Sequence, residues 1–314
     1  MRLGCKPHGA VMRGGRRQKG SGLITTQVLG VSAKSIYKSP AGEKAIMARY
    51  DALLARWPVP CLTLDVASRY GATFVIASGN EPAPPLVLIH GAGSNSAMWA
   101  GDVGEYSRHY RVYAVDLLGE PGKSSPVRLG WNGPAYAEWL GDVLDALKVE
   151  RAILIGLSQG GWTALKFATS QPERVDKLVL LTPGGITPDR ISFALRAIPL
   201  SFMGRWGIER INRMVFGPLP IPAEVNEVTT LIMTHFNPRI GMLPIFSDEE
   251  LQRLTMPTLL LIGQEDALRD ARKVAERMQK LAPELTAMII PQAGHVLYNT
   301  LTYIMPFLAA TERA

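Results

Sequence analysis

The sequence predicts an α/β protein: a mostly parallel eight-stranded sheet with helices on both faces and an inserted helical segment. Short, fully apolar runs such as Leu86-Val87-Leu88-Ile89 and Leu259-Leu260-Leu261-Ile262 alternate with helical stretches, the pattern of parallel strands buried on both faces. Between residues 184 and 250 the alternation lapses into a Met- and aromatic-rich helical stretch, then resumes almost to the end. The 314 residues, 47% hydrophobic and 19% charged, suit one large domain and lie far from the composition of disorder.

Taken in order, residues 1–40 are basic, Gly-rich and without periodicity, which predicts a disordered tail. A helix over 43–56 ends before Pro58. Strands at 61–68 and 73–77 flank Arg69-Tyr70-Gly71 and read as a hairpin. There follow strand 86–90, helix 98–108, strand 111–115, helix 134–147, strand 152–156, helix 159–170 and strand 177–182. After the insertion come strand 258–262, helix 267–281, strand 285–290 and helix 298–309. The core therefore falls into two parts, 41–183 and 251–314, separated by a helical lid at 184–250.

The net charge of +7 suggests nucleic-acid binding until it is localised. Arg2, Lys6, Arg13, Arg16, Arg17 and Lys19 all lie in the first 20 residues, and removing those six leaves 28 basic against 27 acidic residues. No basic face for nucleic acid is expected on the folded part. No apolar run reaches the ~18 residues of a membrane span. Cys5 and Cys61, with neither a disulfide framework nor metal-ligand spacing, read as free thiols in a reducing compartment. Cytoplasmic residence follows, with export as a minor alternative: Arg16-Arg17 precede a weakly apolar stretch at 23–31 and the small-residue pattern Val31-Ser32-Ala33.

Gly156-Leu157-Ser158-Gln159-Gly160-Gly161 carries the first chemical signal, because G-x-S-x-G here stands where an apolar strand meets a helix. Such a turn thrusts a hydroxyl outward, and glycines on either side leave room for backbone to pass. Ser158 is the candidate nucleophile, and it needs a base. Of the five histidines, His295 in Ala293-Gly294-His295 follows the last strand on a small-residue turn; His235, in the insertion, is the distant rival. An acid between nucleophile and base in chain order would orient the imidazole. Asp266, in the turn after strand 258–262, fits best; Glu265 and Asp270 are alternatives, although Asp270 should already be helical. Oxyanion donors are expected from the amides of Gln159, after the nucleophile, and Ala92, in His90-Gly91-Ala92-Gly93.

With His90-Gly91-Ala92-Gly93, Asp116-Leu117-Leu118-Gly119, Gly156-Leu157-Ser158-Gln159-Gly160-Gly161, Gly263-Gln264-Glu265-Asp266 and Ala293-Gly294-His295 in this order, residues 41–309 resemble the α/β-hydrolase superfamily. The phrases Trp57-Pro58-Val59, Gly71-Ala72-Thr73, Thr255-Met256-Pro257 and Gly294-His295-Val296-Leu297 are similar to the bacterial carboxylesterases of the naproxen esterase subgroup. The resemblance implies a serine esterase that needs no cofactor or metal and acts on a small-molecule ester. It maps Ser158, His295 and Asp266 to nucleophile, base and acid, and Ala92 and Gln159 to the oxyanion hole. The stretch Gly119-Glu120-Pro121-Gly122-Lys123-Ser124 departs from the shorter loop of many relatives.

Carbon-carbon bond hydrolases, lactonases and perhydrolases use the same serine machinery, and a mute binding protein on the same scaffold is the alternative of a different class. Two nucleotide-site imitations are weaker. Gly122-Lys123-Ser124 lacks the first glycine of a phosphate-binding loop, since Leu117 stands there. Gly91-Ala92-Gly93 with Asp116 lacks the third glycine of a dinucleotide fingerprint.

Overall fold

The computed structural model describes residues 5–7, 35–239 and 241–310, so most of the tail expected at 1–40 lies outside the described residues, while 5–7 and 35–40 are ordered parts of the fold. The strands are β1 (Lys6–Pro7), β2 (Cys61–Ser68), β3 (Gly71–Ser78), β4 (Pro85–Ile89), β5 (Arg111–Val115), β6 (Ala152–Leu157), β7 (Val175–Leu181), β8 (Thr258–Gly263) and β9 (Leu285–Ile290). They form one sheet in the order β1-β2-β3-β5-β4-β6-β7-β8-β9. β3 runs antiparallel to both β2 and β5, and every other pairing is parallel. The eight predicted strands are β2 to β9; the two-residue β1 is an addition at the edge.

Ten helices complete the described chain: α1 (Pro40–Leu54), α2 (Val103–His109), α3 (Ala135–Ala146), α4 (Gln159–Ser170), α5 (Ile191–Ser201), α6 (Gly204–Phe216), α7 (Ala223–His235), α8 (Asp248–Leu251), α9 (Ala271–Leu281) and α10 (Leu301–Ala309). Because side chains alternate across a strand, Val87 and Ile89 of β4 join one core beneath α3, α4 and α9 with Trp139, Leu140, Leu165 and Val274. Leu86 and Leu88 join the other, beneath α1, α2 and α10, with Tyr50, Trp99, Tyr106 and Ile304. Both faces being covered, central strands such as β4 and β6 carry no polar side chain.

Two helix starts differ from the sequence reading for a local reason. α1 begins at Pro40 because Ser39 accepts a hydrogen bond from the Gly42 amide, a cap with proline at the first helical position. α9 begins only at Ala271: Asp270, expected to be helical, is its N-cap and accepts from the Lys273 amide.

The cysteines correct the sequence reading outright. Cys5 and Cys61 are bonded, with Cα atoms 4.7 Å apart. Pairing of Lys6 with Leu62 and Pro7 with Thr63 sets the preceding residues side by side, a long-range contact that no spacing rule encodes. No helix among the described residues is long and apolar enough to cross a membrane.

Between β7 and β8 the chain forms α5, α6, α7 and α8. Ile232 and Phe236 from α7 and its C-cap pack with Ile36, Tyr37 and Ile46 in a small separate core, and Tyr37 forms a β-bridge with Phe236. Asn212 of α6 donates to Asn226 and Thr229 of α7 at 3.2 and 3.1 Å, tying the two helices together.

The sheet order fixes where a site can form. β4 has β5 on one side and β6 on the other, so the connections leaving their carboxyl ends part and open a crevice. The segments after β4 and β6, residues 90–95 and Ser158, lie at that point.

Candidate active site

Ser158 joins β6 to α4 with φ 53° and ψ −109°, a left-handed backbone unusual for a side-chain-bearing residue. Its amide is fixed by the Leu181 carbonyl at 2.9 Å, and its carbonyl accepts from Trp162 at 2.9 Å. The turn is sterically closed behind it: a Cβ on Gly160 would stand 2.2 Å from the Ile89 carbonyl oxygen. Only glycine lets the elbow lie against the loop that follows β4.

The serine Oγ lies 2.9 Å from His295 Nε2, and His295 Nδ1 lies 2.9 Å from Asp266 Oδ2. Asp266 is fully buried, and its other oxygen accepts from the Leu268 and Arg269 amides at 2.8 and 3.1 Å. Burial pushes this carboxyl up, but the adjacent His295, the Arg269 guanidinium and the Leu268 amide outweigh it and hold it below the usual aspartate range. Its two rivals go elsewhere. Glu265 is exposed, and Asp270 caps α9 and faces Arg190 at 3.7 Å. His235 ends α7 in the insertion, where its ring lies against Gly42 and its carbonyl accepts from the Lys38 amide at 2.8 Å.

The imidazole is held from three directions. Thr182 Oγ1 donates to the His295 carbonyl at 2.8 Å, and the His295 amide donates to the Val215 carbonyl at the end of α6 at 2.8 Å. Gly263, closing β8, lies so near the histidine turn that a Cβ would be 2.0 Å from the Gly294 carbonyl oxygen. Arg269, 2% exposed, donates from Nη1 to the Thr182 carbonyl at 3.0 Å and sits 3.4 Å from His295 Nδ1, with Nε 3.1 Å from Asp189. Neither Thr182 nor Arg269 carried a sequence signal: threonine at a strand end and arginine near a helix start are ordinary.

The two candidate oxyanion amides belong to the two segments that meet at the elbow, one after β6 and one after β4. Gln159 is the first residue of α4, where amides lack intrahelical acceptors and the helix dipole is positive. Ala92 follows Gly91, where a Cβ would stand 3.5 Å from the Ser158 Cβ. This loop is braced by buried polar groups. His90 bridges the Gly91 carbonyl (Nδ1, 2.8 Å) and the Leu117 amide (Nε2, 2.9 Å), and burial lowers its basicity so that it bonds as a neutral ring.

Glu120, in the stretch that departs from the shorter loop of many relatives, accepts from the Gly93 amide at 2.7 Å. Burial pushes its carboxyl up to about 7 from an ordinary 4.5, against the opposing effects of the Gly93 amide, Gln159, Arg128 and Arg239. A group whose folded pKa is raised favours folding below its unfolded pKa and loses that contribution as pH rises through the folded value. The window here is about pH 4.5 to 7, worth roughly 3 kcal/mol. Glu120→Gln keeps an acceptor for Gly93 but cannot ionise. Its stability relative to the parent should therefore rise by up to about 3 kcal/mol between pH 4 and pH 8 in urea unfolding. A difference that stays constant across that range would contradict the buried carboxyl.

The residues that imitated nucleotide sites are otherwise engaged. Asp116 accepts from Tyr50 Oη (2.9 Å), the Ser96 amide (2.8 Å) and the Lys123 amide (2.8 Å). Ser124 donates to the Asp116 carbonyl at 2.7 Å, and Lys123 pairs with Asp51 at 2.6 Å. These contacts brace the sheet edge of the crevice.

A cavity of about 860 Å³ lies among the inserted helices. Phe202, Ile208, Leu231 and Ile232 give it apolar walls, while Lys38 and Glu227 bring charge. It reaches the loop after β4 at Gly93, and Ser158 itself is not in its lining.

This arrangement can activate a hydroxyl and hold the resulting imidazolium against a carboxylate. The solved structure of naproxen esterase (carboxylesterase NP) from Bacillus subtilis matches with a TM-score of 0.76 and 32% identity, covering 86% of this chain and 99% of that one. Carboxylesterase CesB (YbfK) from the same organism matches with a TM-score of 0.75 and 30% identity, again covering 86% and 99%. A curated relative, the uncharacterized carboxylesterase nap of Bacillus subtilis strain 168, is 36% identical over 257 residues, 79% of this chain and 85% of its own length. Residues 86–301 match the profile of the alpha/beta hydrolase family. The chain belongs to that family.

Proposed function

We propose that this protein is a serine hydrolase that cleaves carboxylic esters of apolar acyl or aryl substrates through an acyl-enzyme on Ser158. The observation that carries the reading is the continuous chain of 2.9 Å contacts from Ser158 through His295 to the buried carboxylate of Asp266. Its similarity to carboxylesterases over 79 to 86% of the chain supports the ester as the bond attacked.

In this mechanism His295 Nε2 takes the proton of the Ser158 hydroxyl as Oγ adds to the ester carbonyl carbon. The negative charge that forms on the carbonyl oxygen is met by the Ala92 and Gln159 amides. His295 then gives its proton to the departing alkoxide, which leaves as the alcohol. Water, deprotonated by the same imidazole, adds to the acyl-enzyme, and collapse releases the carboxylic acid and restores the serine. Asp266 keeps the proton of neutral His295 on Nδ1 and balances the imidazolium.

The inserted helices act as the lid, and the apolar walls of their cavity favour apolar acyl groups. Across p-nitrophenyl esters, kcat/KM should rise up to about fourfold per added acyl methylene until the cavity is filled. Charged acyl groups should be the slowest. A charged dicarboxylic half-ester turned over as fast as its apolar counterpart would reject the apolar preference. The expectation of cytoplasmic residence rests on free thiols; the Cys5–Cys61 bond instead supports an oxidising compartment. Alkylation of the unreduced, unfolded protein leaving both cysteines unmodified is the expected result.

A further inference from the structure

We propose that the outer face of the lid is a docking surface for anionic lipid bilayers. It rests on α5, none of whose residues is buried. Ile191, Leu195, Ile198 and Phe202 follow one another at spacings of four, three and four, a single stripe along the helix. They are 75%, 68%, 59% and 85% exposed, far beyond the scattered apolar exposure ordinary for a surface. Met203 and Trp206 extend the exposed apolar surface into α6.

The surrounding charge identifies the occupant. Residues 190–216 contain Arg190, Arg196, Arg205, Arg210 and Arg213 against the single acid Glu209. Arg196, Arg205, Arg210 and Arg213 are exposed, and Arg210 lies over the Trp206 ring at 5.1 Å. Apolar side chains with an interfacial tryptophan and an arginine fringe suit a lipid surface: the stripe enters the headgroup-acyl boundary while guanidinium groups meet lipid phosphates. A second copy of the chain would bring arginine against arginine.

Two contacts connect this face to the site. Phe202, the last member of the stripe, also lines the cavity of about 860 Å³, so a docked lid sets the cavity mouth against the bilayer. α6, which bears Trp206 and Arg210, ends at the Val215 carbonyl that holds the His295 amide. The docking proposal stands whether or not the ester reading is correct, because its readout is binding.

The test uses the full chain, flotation with phosphatidylcholine vesicles and with vesicles containing about 30% phosphatidylglycerol, and the double variants Leu195→Glu with Ile198→Glu and Arg210→Gln with Arg213→Gln. Retained p-nitrophenyl acetate turnover and circular dichroism report folding. The parent should float with anionic vesicles, the glutamate pair should weaken that binding about tenfold or more, and the glutamine pair should weaken it and flatten its salt dependence. Tryptophan quenching by brominated lipid gives a separate readout: Trp57, Trp99, Trp139 and Trp162 are each 2% exposed or less, Trp131 is half-buried between Tyr136 and Arg239, and Trp206 is 52% exposed. Quenching should drop sharply in Trp206→Phe. The proposal is overturned if the parent binds neither vesicle, if the glutamate pair binds as the parent does, which would assign the affinity to the basic residues of positions 1–20, or if the parent is a dimer that the glutamate pair dissociates.

Discussion

Replacing Ser158 with alanine is expected to lower kcat for p-nitrophenyl ester hydrolysis by a factor on the order of 10^6, with the fold retained. The hydroxyl is the only atom lost, and it is the atom 2.9 Å from His295 Nε2. Without it no acyl-enzyme forms, and what remains is the small contribution of oxyanion binding to direct attack by water. The left-handed backbone at φ 53° is equally strained for alanine and serine, so the melting temperature should move by only a few degrees. The loss should appear in kcat with KM little changed, because Ser158 acts in the chemical step. Residual turnover within about a hundredfold of the parent would require another nucleophile.

Asp266→Asn should cost about 10^4 in kcat with little change in structure. Asparagine retains a carbonyl oxygen that can accept from the Leu268 and Arg269 amides, as Asp266 Oδ1 does at 2.8 and 3.1 Å. Its NH2 would then face His295 Nδ1, forcing the imidazole proton onto Nε2 where a lone pair is needed for Ser158. A second cost is electrostatic: the imidazolium formed during attack would keep Arg269 Nη1 at 3.4 Å but lose its carboxylate. The acid limb of the parent's pH profile should be steep in the opposite sense to Glu120. Asp266 is held below the usual aspartate range, so its contribution to stability is present at neutral pH and is lost as pH falls through the depressed value. Near-parent kcat in the asparagine variant would show that Asp266 merely fills space.

The sheet was legible because its strands obey local rules. Residues 86–89, 152–156 and 259–262 are apolar throughout, and only a doubly covered strand places alternate residues in two separate cores. Ser158, His295 and Asp266 were legible because each follows a strand on a glycine-bearing turn at the same end of the sheet. What escaped depends on contacts between distant segments. The Cys5–Cys61 bond needs the short pairing of β1 with β2. Glu120 matters because Gly93, 27 residues earlier, lies against it, and Arg269 because it reaches Thr182 across 87 residues. The reason given for setting Asp270 aside was mistaken: Asp270 is not helical, and it spends its carboxylate on the Lys273 amide. In the insertion, one methionine and aromatic pattern serves two ends. Phe216 and Phe236 are buried, while Phe202, Met203 and Trp206 face outward, and composition alone does not separate them.

The most direct test is to react the protein with a fluorophosphonate, digest it and locate the adduct by mass spectrometry. A single phosphonyl group on the peptide bearing Ser158, formed in step with the loss of esterase activity and absent from Ser158→Ala, is the predicted result. Full inactivation with the adduct on a different residue, or an unlabelled protein that goes on hydrolysing esters, would contradict it.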